Sequence, residues 1–438
     1  MIKTLQNALK VKEIRSRLLF TLMILLVVRI GCAIPAPGVN TEFFASWFAS
    51  QTGDAFNFFN VMTGGSFTSM SIFALNISPY ITASIIIQLL TIAIPALEEL
   101  QKDAESGRQK INDITRYSTV ALAIIEGTAM TVGFGRQGLL LDYTWYNVAI
   151  VVITMTAGSV LLMWMGEKIT EKGIGNGISM ILLFNILSSL PSDIAGLFNT
   201  FVFGKSVLVG VLAAVIIIAL IVAMVVFVVL LNGGERRIPV QYAAKMQGRR
   251  SYGGQSSNMP IKVNTAGVIP VIFASSIMSL PVMIASFFSV DYTTIGGKIL
   301  AALSSANWCK PSDPLLSLGL LVYIALIFVF AYFYTSITFN PIEIANNLKK
   351  QGGFVPGIRP GKPTSEYLNN ILNYIVFIGA AGLTIVAIIP IVLSGFLSIS
   401  NLSFAGTSLI IIVGVILETM KQIESMMRQR NYSGFLTD

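Results

Sequence analysis

Few residues in this sequence could carry catalytic chemistry. The chain has 438 residues and no histidine, which excludes histidine acid–base catalysis, histidine metal ligation and a histidine proton relay. Its two cysteines, Cys32 and Cys309, are too few for a multi-ligand metal site, and they form either a disulfide or two small apolar fillers, the second being favoured. No nucleotide-binding P-loop pattern occurs. We therefore expect no catalytic residues and no cofactor, with energy supplied from elsewhere.

Three ionisable residues lie inside long apolar stretches. Glu126 and Glu418 are the candidate intramembrane carboxylates, and Arg29 lies near the end of the first stretch, where we expect its side chain to extend outward. Proton or ion coupling needs two or more convergent groups, and the sequence shows no second group for either carboxylate. Contact with a partner helix or with the membrane interface is the favoured role of both.

An apolar helix face is the third kind of candidate. Ile81 and Ile85 are four residues apart, and so they share one face of a helix. Ile272 takes the place of Ile81 in a P-x-I-x-A-S pattern that occurs at residues 79–84 and 270–275. Such a face can form a hydrophobic constriction that gates a wet path by dewetting. Ordinary helix packing uses the same residue types, so the residues alone leave both interpretations open and favour packing.

The elements that position these residues are predicted to be membrane-spanning helices. Hydrophobic residues make up 54% of the chain and charged residues 11%, whereas a soluble domain carries about 25% charged residues. The apolar stretches are continuous, unlike the alternating strands of a membrane β-barrel. The sequence predicts ten spans, at about residues 18–34, 76–95, 114–134, 145–166, 176–191, 207–231, 264–288, 315–338, 369–394 and 404–426.

Loop charge predicts the orientation of these spans. Lysine and arginine concentrate in every second loop, and the intervening loops contain very few. Both termini are therefore predicted to be cytoplasmic. The predicted organisation is an N-terminal segment, two five-span halves and a C-terminal tail, at residues 1–17, 18–200, 201–426 and 427–438. The repeated pattern and the odd number of spans per half predict inverted topology, which in transporters and channels places the pathway between the halves.

One short segment does not fit the pattern of spanning helices. Residues 56–70 are aromatic at one end, rich in Thr, Gly and Ser at the other, and too short and polar to cross a bilayer. Irregular backbone at membrane depth needs protein or a water-filled cavity to satisfy its polar groups. The segment therefore predicts a cavity inside a helical bundle, with a short element folded into it.

Two long basic loops are predicted on the cytoplasmic side, at residues 232–263 and 339–368. Both interleave bases with Gly, Pro and aromatic residues, a composition that suits docking onto a large partner or onto RNA phosphates. Positive-inside topology and contact with anionic lipid explain the charge equally well. They do not explain why these two loops are long when other connections are short.

Several motifs resemble the SecY family, the central subunits of bacterial protein-conducting channels. They include SPYITASIIIQLL at residues 78–90, EKGIGNGIS at residues 171–179 and FNPIEIANNLKKQGGFVPGIRPG at residues 339–361, and the resemblance covers essentially the whole chain. It implies an all-α membrane protein with ten spans in two inverted halves around a central pore. The implied function is passage of unfolded secretory polypeptides across the cytoplasmic membrane, with sideways release of transmembrane segments into lipid.

The same resemblance assigns roles to particular residues. The implied pore ring consists of Ile81, Ile85, Leu182, Ile186, Val268, Ile272 and Ile411. The implied plug, residues 57–70, includes Asn57, Phe59, Asn60, Thr63, Gly64, Gly65, Phe67 and Met70. The implied lateral gate, between spans two and three and spans seven and eight, includes Ala83, Ser84, Gln88, Ala274, Ser275 and Ser276. The implied docking residues are Arg236, Arg237, Lys245, Arg249, Arg250, Lys349, Lys350 and Arg359, the last at the family's most sensitive loop position.

The resemblance also implies partners. These are a SecE subunit bracing the two halves, a peripheral SecG subunit, the SecA motor or the ribosome at the cytoplasmic loops, signal sequences, nascent polypeptides and membrane lipids. The rival hypothesis is a secondary transporter for a small solute, which also uses inverted repeats and broken helices. The missing coupling residues, the apolar midplane and the long basic loops favour the channel. An intramembrane enzyme would need histidine or paired carboxylates that the sequence does not supply.

Overall fold

The structure is a computed structural model that describes residues 9–50, 60–102, 105–202, 207–242, 245–247, 250–252, 256–286, 294–304, 307–309, 314–397 and 405–433. Its helices before the first strand are α1 (Lys12–Ala33), α2 (Thr41–Ser50), α3 (Ser78–Ala93), α4 (Pro95–Lys102), α5 (Glu105–Phe134), α6 (Trp145–Lys172), α7 (Gly177–Phe201) and α8 (Val207–Gly233). Its later helices are α9 (Ile269–Ser286), α10 (Ile295–Leu303), α11 (Leu318–Thr338), α12 (Pro341–Lys350), α13 (Lys362–Leu397) and α14 (Ala405–Ser433).

Each of the ten predicted spans overlaps one of these helices. Within the described residues, however, eight helices are long and apolar enough to cross a membrane, or up to nine if the bent pair α3 and α4 is one span. That pair bends by 105° at Ile94, which is extended because the following Pro95 disfavours helical backbone before it. Helix α9 has 18 residues, and Ile269–Ser279 is its apolar stretch within the part of the chain that the structure describes.

The chain divides into two compact units. Unit 1 comprises Met1–Thr200, Met283–Val290 and Val415–Asp438, and unit 2 comprises Phe201–Val282 and Asp291–Gly414. The repeated P-x-I-x-A-S pattern begins a helix in each unit, because Pro79 and Pro270 are the second residues of α3 and α9. Proline is tolerated there because the first turn of a helix has no internal partner for its N–H groups.

The core of unit 1 consists of two hydrophobic clusters. In the first, Phe44 of α2 stacks on Trp47 at 5.6 Å between ring centroids and meets Phe134 of α5 edge-on at 5.4 Å. In the second, buried side chains such as Val28 and Ile181 bring α1, α6 and α7 together. Both clusters surround the segment between α2 and α3, and so they position the element that the sequence predicts to be folded into the bundle.

In unit 2, the two long basic loops meet in one sheet. Strand β1 (Glu235–Tyr242) pairs antiparallel with β4 (Ser256–Lys262) on one side and with β5 (Gly353–Phe354) on the other. Strands β2 (Lys245–Gln247) and β3 (Arg250–Tyr252) pair separately.

The sheet is held by a hydrophobic cluster of its own. Ile238 of β1 is buried with Val355, Leu368 and Ile375, so residues of both loops share one core with α13. No strands were predicted in these loops from the sequence, and the sheet was therefore not predicted.

Candidate functional site

Residues 60–77 form a short helical turn followed by tight turns between α2 and α3. Hydroxyl side chains close this segment on itself: Ser66 Oγ donates to the carbonyl oxygens of Thr63 at 2.9 Å and Phe73 at 3.0 Å. Thr68 Oγ1 likewise donates to the Gly65 carbonyl oxygen at 2.9 Å. The segment therefore satisfies part of its polar backbone internally, as irregular backbone at membrane depth must.

Two backbone hydrogen bonds tie this segment to the chain that follows α1. The amide of Ala36 donates to the Met70 carbonyl oxygen at 2.9 Å, and the amide of Ile72 donates to the Ile34 carbonyl oxygen at 2.9 Å. Met70 has a left-handed φ of +43°, which a non-glycine residue adopts only when its surroundings hold it there. The segment is thus fixed near its middle by the chain that connects α1 to α2.

Gly64 is a point at which the segment lies close to two helices, α1 and α7. Its φ is +64°, and a Cβ there would lie 2.9 Å from Ser188 Oγ and 3.0 Å from the Asn185 carbonyl oxygen, both on α7. On α1, Arg29 Nη1 donates to the Gly64 carbonyl oxygen at 2.7 Å. From the sequence, the side chain of Arg29 was expected to extend outward. Its contact with Gly64 was not predicted, although a lone cation in an apolar stretch was a usable signal.

Helix α6 packs directly against the backbone of the same segment. A Cβ on Gly158 would collide with the carbonyl oxygen of Ile72. One residue further on, Ser159 Oγ donates to the carbonyl oxygen of Asn76 at 2.8 Å. Three helices, α1, α6 and α7, therefore hold residues 60–77.

Unit 1 contains four of the predicted ring residues. Ile81 and Leu182 belong to one hydrophobic cluster with Ile77, the last residue before α3. Ile186 is fully buried, and Ile85 is half-buried. The structure thus brings Ile81 and Leu182 together next to the segment, through ordinary apolar packing.

Unit 2 contains the other three predicted ring residues. Val268 and Ile272 are half-buried at the beginning of α9, where the amide of Ile272 donates to the Val268 carbonyl oxygen at 3.3 Å. Ile411 of α14 is buried, and a Cβ on the nearby Gly414 would lie 3.4 Å from Val268 Cγ2. The role of all seven side chains as a ring stays a prediction.

The predicted gate residues on α3 are small or polar. Ala83 is fully buried, and Gln88 Nε2 donates to Ser84 Oγ at 3.3 Å one turn away. This bond lies within one helix and does not join α3 to a neighbour.

The predicted gate residues on α9 pack against α11. Ala274 is fully buried, and Ser275 Oγ lies 3.2 Å from the hydroxyl of Tyr323. Ser279 Oγ donates to the carbonyl oxygens of Ser275 at 2.7 Å and Ser276 at 3.3 Å. Small residues at such positions let helix backbones approach closely.

Five predicted docking residues are exposed. Arg236 and Arg237 extend from β1, and Lys349 and Lys350 end α12, where positive charge complements the helix dipole. Arg359 lies in the loop after β5, and its carbonyl oxygen accepts a hydrogen bond from Thr364 Oγ1 at 2.8 Å. The three-stranded sheet joins the loops that carry them.

The other predicted docking and plug residues are described in part. Lys245 pairs with Tyr252 and Arg250 with Gln247 in the register of β2 and β3. The predicted residues that lie outside the described part of the chain are Arg249, Asn57 and Phe59.

Metal or redox chemistry finds no support among the described residues. No group of three or more Cys, Asp or Glu side chains there could hold a metal ion. Both cysteines are free thiols, and Cys32 is packed in the hydrophobic cluster of α1, α6 and α7, as expected of an apolar filler.

The fold and this site define a class: polytopic helical membrane proteins in which a short irregular segment is seated among the spans. The SecY family model matches residues 71–420. The chain is 43% identical over 462 aligned positions to the protein translocase subunit SecY of Streptomyces coelicolor, with 100% of both chains covered. It is 41% identical over 451 positions to the subunit of Mycobacterium bovis, again with 100% of both chains covered. The chain therefore belongs to the SecY family.

Solved structures agree on the fold. A protein-conducting channel matches with a TM-score of 0.61 at 19% identity, covering 95% of this chain and 93% of that one. Canine Sec61 in a ribosome–channel complex from the endoplasmic reticulum matches with a TM-score of 0.60 at 18% identity and the same coverage. The resemblance and the fold class predicted from the sequence are confirmed, and nothing in these comparisons supports the solute transporter.

Proposed function

We propose that this chain is the channel-forming subunit through which unfolded secretory polypeptides cross the cytoplasmic membrane of a bacterium. Transmembrane segments leave it sideways into lipid. The observation that carries this proposal is the segment at residues 60–77, which is seated among α1, α6 and α7 instead of spanning. Because the segment is compact and is held by hydrogen bonds and apolar contacts to these helices, it can be displaced as a unit, and so it suits a plug that yields to a passing chain.

The proposed ring supplies the barrier to ions. Aliphatic side chains such as Ile81 and Ile272 offer no ligand, so an ion that enters between them loses hydration without replacement. The same side chains deform around a polypeptide without selecting its sequence. A ring of this kind passes an extended chain while it resists ion flow.

The proposed lateral gate releases apolar helices. A signal sequence is itself an apolar helix, and it gains free energy when it partitions from a wet path into lipid. Small residues on α3 and α9, such as Ala83 and Ala274, reduce the packing contact that must be broken when the lateral gate opens.

The basic sheet of unit 2 is the proposed docking platform. Because β1 pairs with both β4 and β5, one rigid element presents Arg236 and Arg237 and anchors the loop of Arg359. Its exposed positive charge fits a motor such as SecA or the RNA of a ribosome. With basic loops on this side, both termini are cytoplasmic, and SecE and SecG subunits complete the channel.

A cross-link tests the proposed function directly. Cys32 and Cys309 are replaced by Ser, Ile272→Cys is introduced, and a secretory precursor with a cysteine probe is stalled in transit. We expect a cross-link that depends on the signal sequence and on the motor. The matched control is Ile277→Cys, on the same helix but 46% exposed, which should not cross-link. An active channel with no cross-link at residue 272, for any probe position along the precursor, would overturn the proposed path.

A further inference from the structure

We propose that Arg29 and Asn185 position the plug in opposite directions: Arg29 holds it seated, and Asn185 favours its displacement. The inference rests on the proposed function, since it takes residues 60–77 to be a plug. We call the contacts of Gly64 with Arg29 of α1 and with Asn185 and Ser188 of α7 the plug seat. All of these residues belong to unit 1.

Arg29 supplies the holding contact of the plug seat. Its guanidinium donates to the Gly64 carbonyl oxygen at 2.7 Å, a short distance typical of a charged donor. Hydrogen bonds to charged groups stabilise more than neutral ones. The two residues are 35 positions apart in the chain, so the bond joins α1 to the segment through the fold of unit 1.

Asn185 supplies the opposing contribution. It is 0% exposed, and within the described part of the chain neither its side-chain nitrogen nor its side-chain oxygen has a hydrogen-bond partner. An unpaired buried amide raises the free energy of the state that buries it. Gly64 lies against the backbone of this turn of α7, so displacement of the plug removes a neighbour of the turn, and we expect water then to reach the amide. Asn185 therefore destabilises the seated state.

The backbone at Gly64 makes the seat possible. A Cβ there would lie 3.1 Å from the Asn185 Cα atom, tighter than an ordinary contact, so only glycine lets the turn rest on α7. The next residue, Gly65, has the same kind of backbone, with φ of +86°, but a Cβ there would have no atom within 4 Å. The two glycines thus share backbone strain and differ in contact with the seat.

The first experiment measures resting ion conductance of the purified channel in planar bilayers. Arg29→Gln should raise it about tenfold, the factor expected when a charged hydrogen bond is lost. Arg29→Lys keeps the charge and should restore most of the block. Asn185→Leu, which removes the unpaired amide, should lower conductance below that of the unchanged channel and reduce the effect of Arg29→Gln. Unchanged conductance in Arg29→Gln, or a rise in Asn185→Leu, would overturn the inference.

The second experiment tests the plug seat by substitution of Gly64 and Gly65, and it does not depend on the folding of Arg29→Gln. Gly64→Ala should raise resting conductance as Arg29→Gln does. The conductance of the double variant, Arg29→Gln with Gly64→Ala, should be only slightly higher than that of either single variant, because both substitutions disrupt the same plug seat. Gly65→Ala carries equal backbone strain without a clash and is the matched control. Equal conductance in the two alanine variants would contradict the proposed seat.

A plug deletion separates failure of this inference from failure of the proposed function. If removal of residues 57–70 raises conductance but the Arg29 and Gly64 variants do not, a plug exists and the proposed seat is wrong. If the deletion leaves conductance unchanged and the cross-link at residue 272 is also missing, the channel proposal itself fails.

Discussion

At the residue scale, the proposed ring depends on the absence of polar groups. Ile272→Asn places a polar amide in the proposed ring, where it can bind water. We therefore expect the closed channel to be less stable relative to the open one. Precursors with defective signal sequences should be exported, and ion leak should rise. Export and leak are measured in cells and in vesicles, with Ile272→Val as the apolar control. Unchanged signal selectivity and unchanged leak in Ile272→Asn would count against the ring.

The proposed docking surface makes a second prediction for single residues. Arg359→Glu should reduce motor-driven transport at least tenfold, because charge reversal repels an acidic or phosphate-bearing partner. The fold should survive, since the backbone of Arg359 is held by Thr364 and its side chain is exposed. Transport is measured in vesicles with a SecA motor, beside thermal unfolding of the purified protein.

Lys362→Glu is the matched control for Arg359→Glu. Lys362 is exposed, three residues away, and paired only loosely with Glu366 at 3.9 Å. It should transport normally. Normal transport by Arg359→Glu, or equal loss in both variants, would show that this residue has no special role.

Single residues were predictable from the sequence where their role follows from composition. Cys32, for example, is a free thiol packed in an apolar cluster, which agrees with the favoured interpretation of this residue as an apolar filler. The partner of Arg29 was not predictable, because Gly64 comes close only through the fold of unit 1. The unpaired state of the Asn185 amide was not predictable either, because the sequence of an apolar helix does not show whether an asparagine side chain has a hydrogen-bond partner.

At the element scale, the approach of α6 to the plug leaves no room for a side chain. Gly158→Ala should clash with the carbonyl oxygen of Ile72 and so lower the melting temperature in detergent and raise resting conductance. Gly127→Ala is the control, because a Cβ on this buried α5 glycine would meet its nearest atom at 3.7 Å, an ordinary contact. A normal melting temperature and normal conductance in Gly158→Ala would mean that the two elements separate easily.

The sheet that joins the two basic loops makes a prediction for its own core. Ile238 is 1% exposed, so Ile238→Ala should destabilise the sheet by about 2–5 kcal/mol. Amide exchange of β1 and protease cleavage of both loops should then accelerate together. Arg237→Ala, an exposed neighbour on the same strand, should change stability by about 0.5 kcal/mol or less. Acceleration confined to one loop would show that β1 and β5 do not form a single unit.

Long apolar helices were predictable because their signal is continuous over about 20 residues. The sheet was not predictable, because β1 alternates over only a few residues. Strand β5 has two residues, and its pairing depends on a distant partner: Gln241 and Phe354 are 113 positions apart. The 105° bend after α3 follows from Pro95, but hydropathy averaged over a window hides a single residue.

At the scale of the whole molecule, the chain order of the two halves does not match the compact units throughout. Unit 1 includes Val415–Asp438, from the end of the chain. Within this unit the Gly175 amide donates a hydrogen bond to Gln422 Oε1 at 2.6 Å. Helix α14 thus begins in one unit and ends in the other. A repeat found by motif matching cannot reveal this, because it reports the order of helices and not their contacts.

Orientation of the whole chain is tested by labelling Cys309, which the predicted topology places outside the cell. In a Cys32→Ser background it is the only thiol, and a membrane-impermeant maleimide should label it in intact cells. Burial raises the pKa of the Cys309 thiol, so less thiolate is present at neutral pH than for an ordinary cysteine. Labelling should therefore be slow at pH 7 and accelerate about tenfold per pH unit above it.

The control for orientation is Lys349→Cys in a chain without its native cysteines. Lys349 is exposed on α12, on the side predicted to be cytoplasmic, so its cysteine should react only after the membrane is permeabilised. A solvent-exposed thiol there should also titrate at a lower pH than Cys309. If Cys309 reacted only in permeabilised cells and the residue 349 variant reacted in intact ones, the chain would be inverted. The basic sheet would then face away from any motor or ribosome, and the docking proposal would fall with the predicted topology.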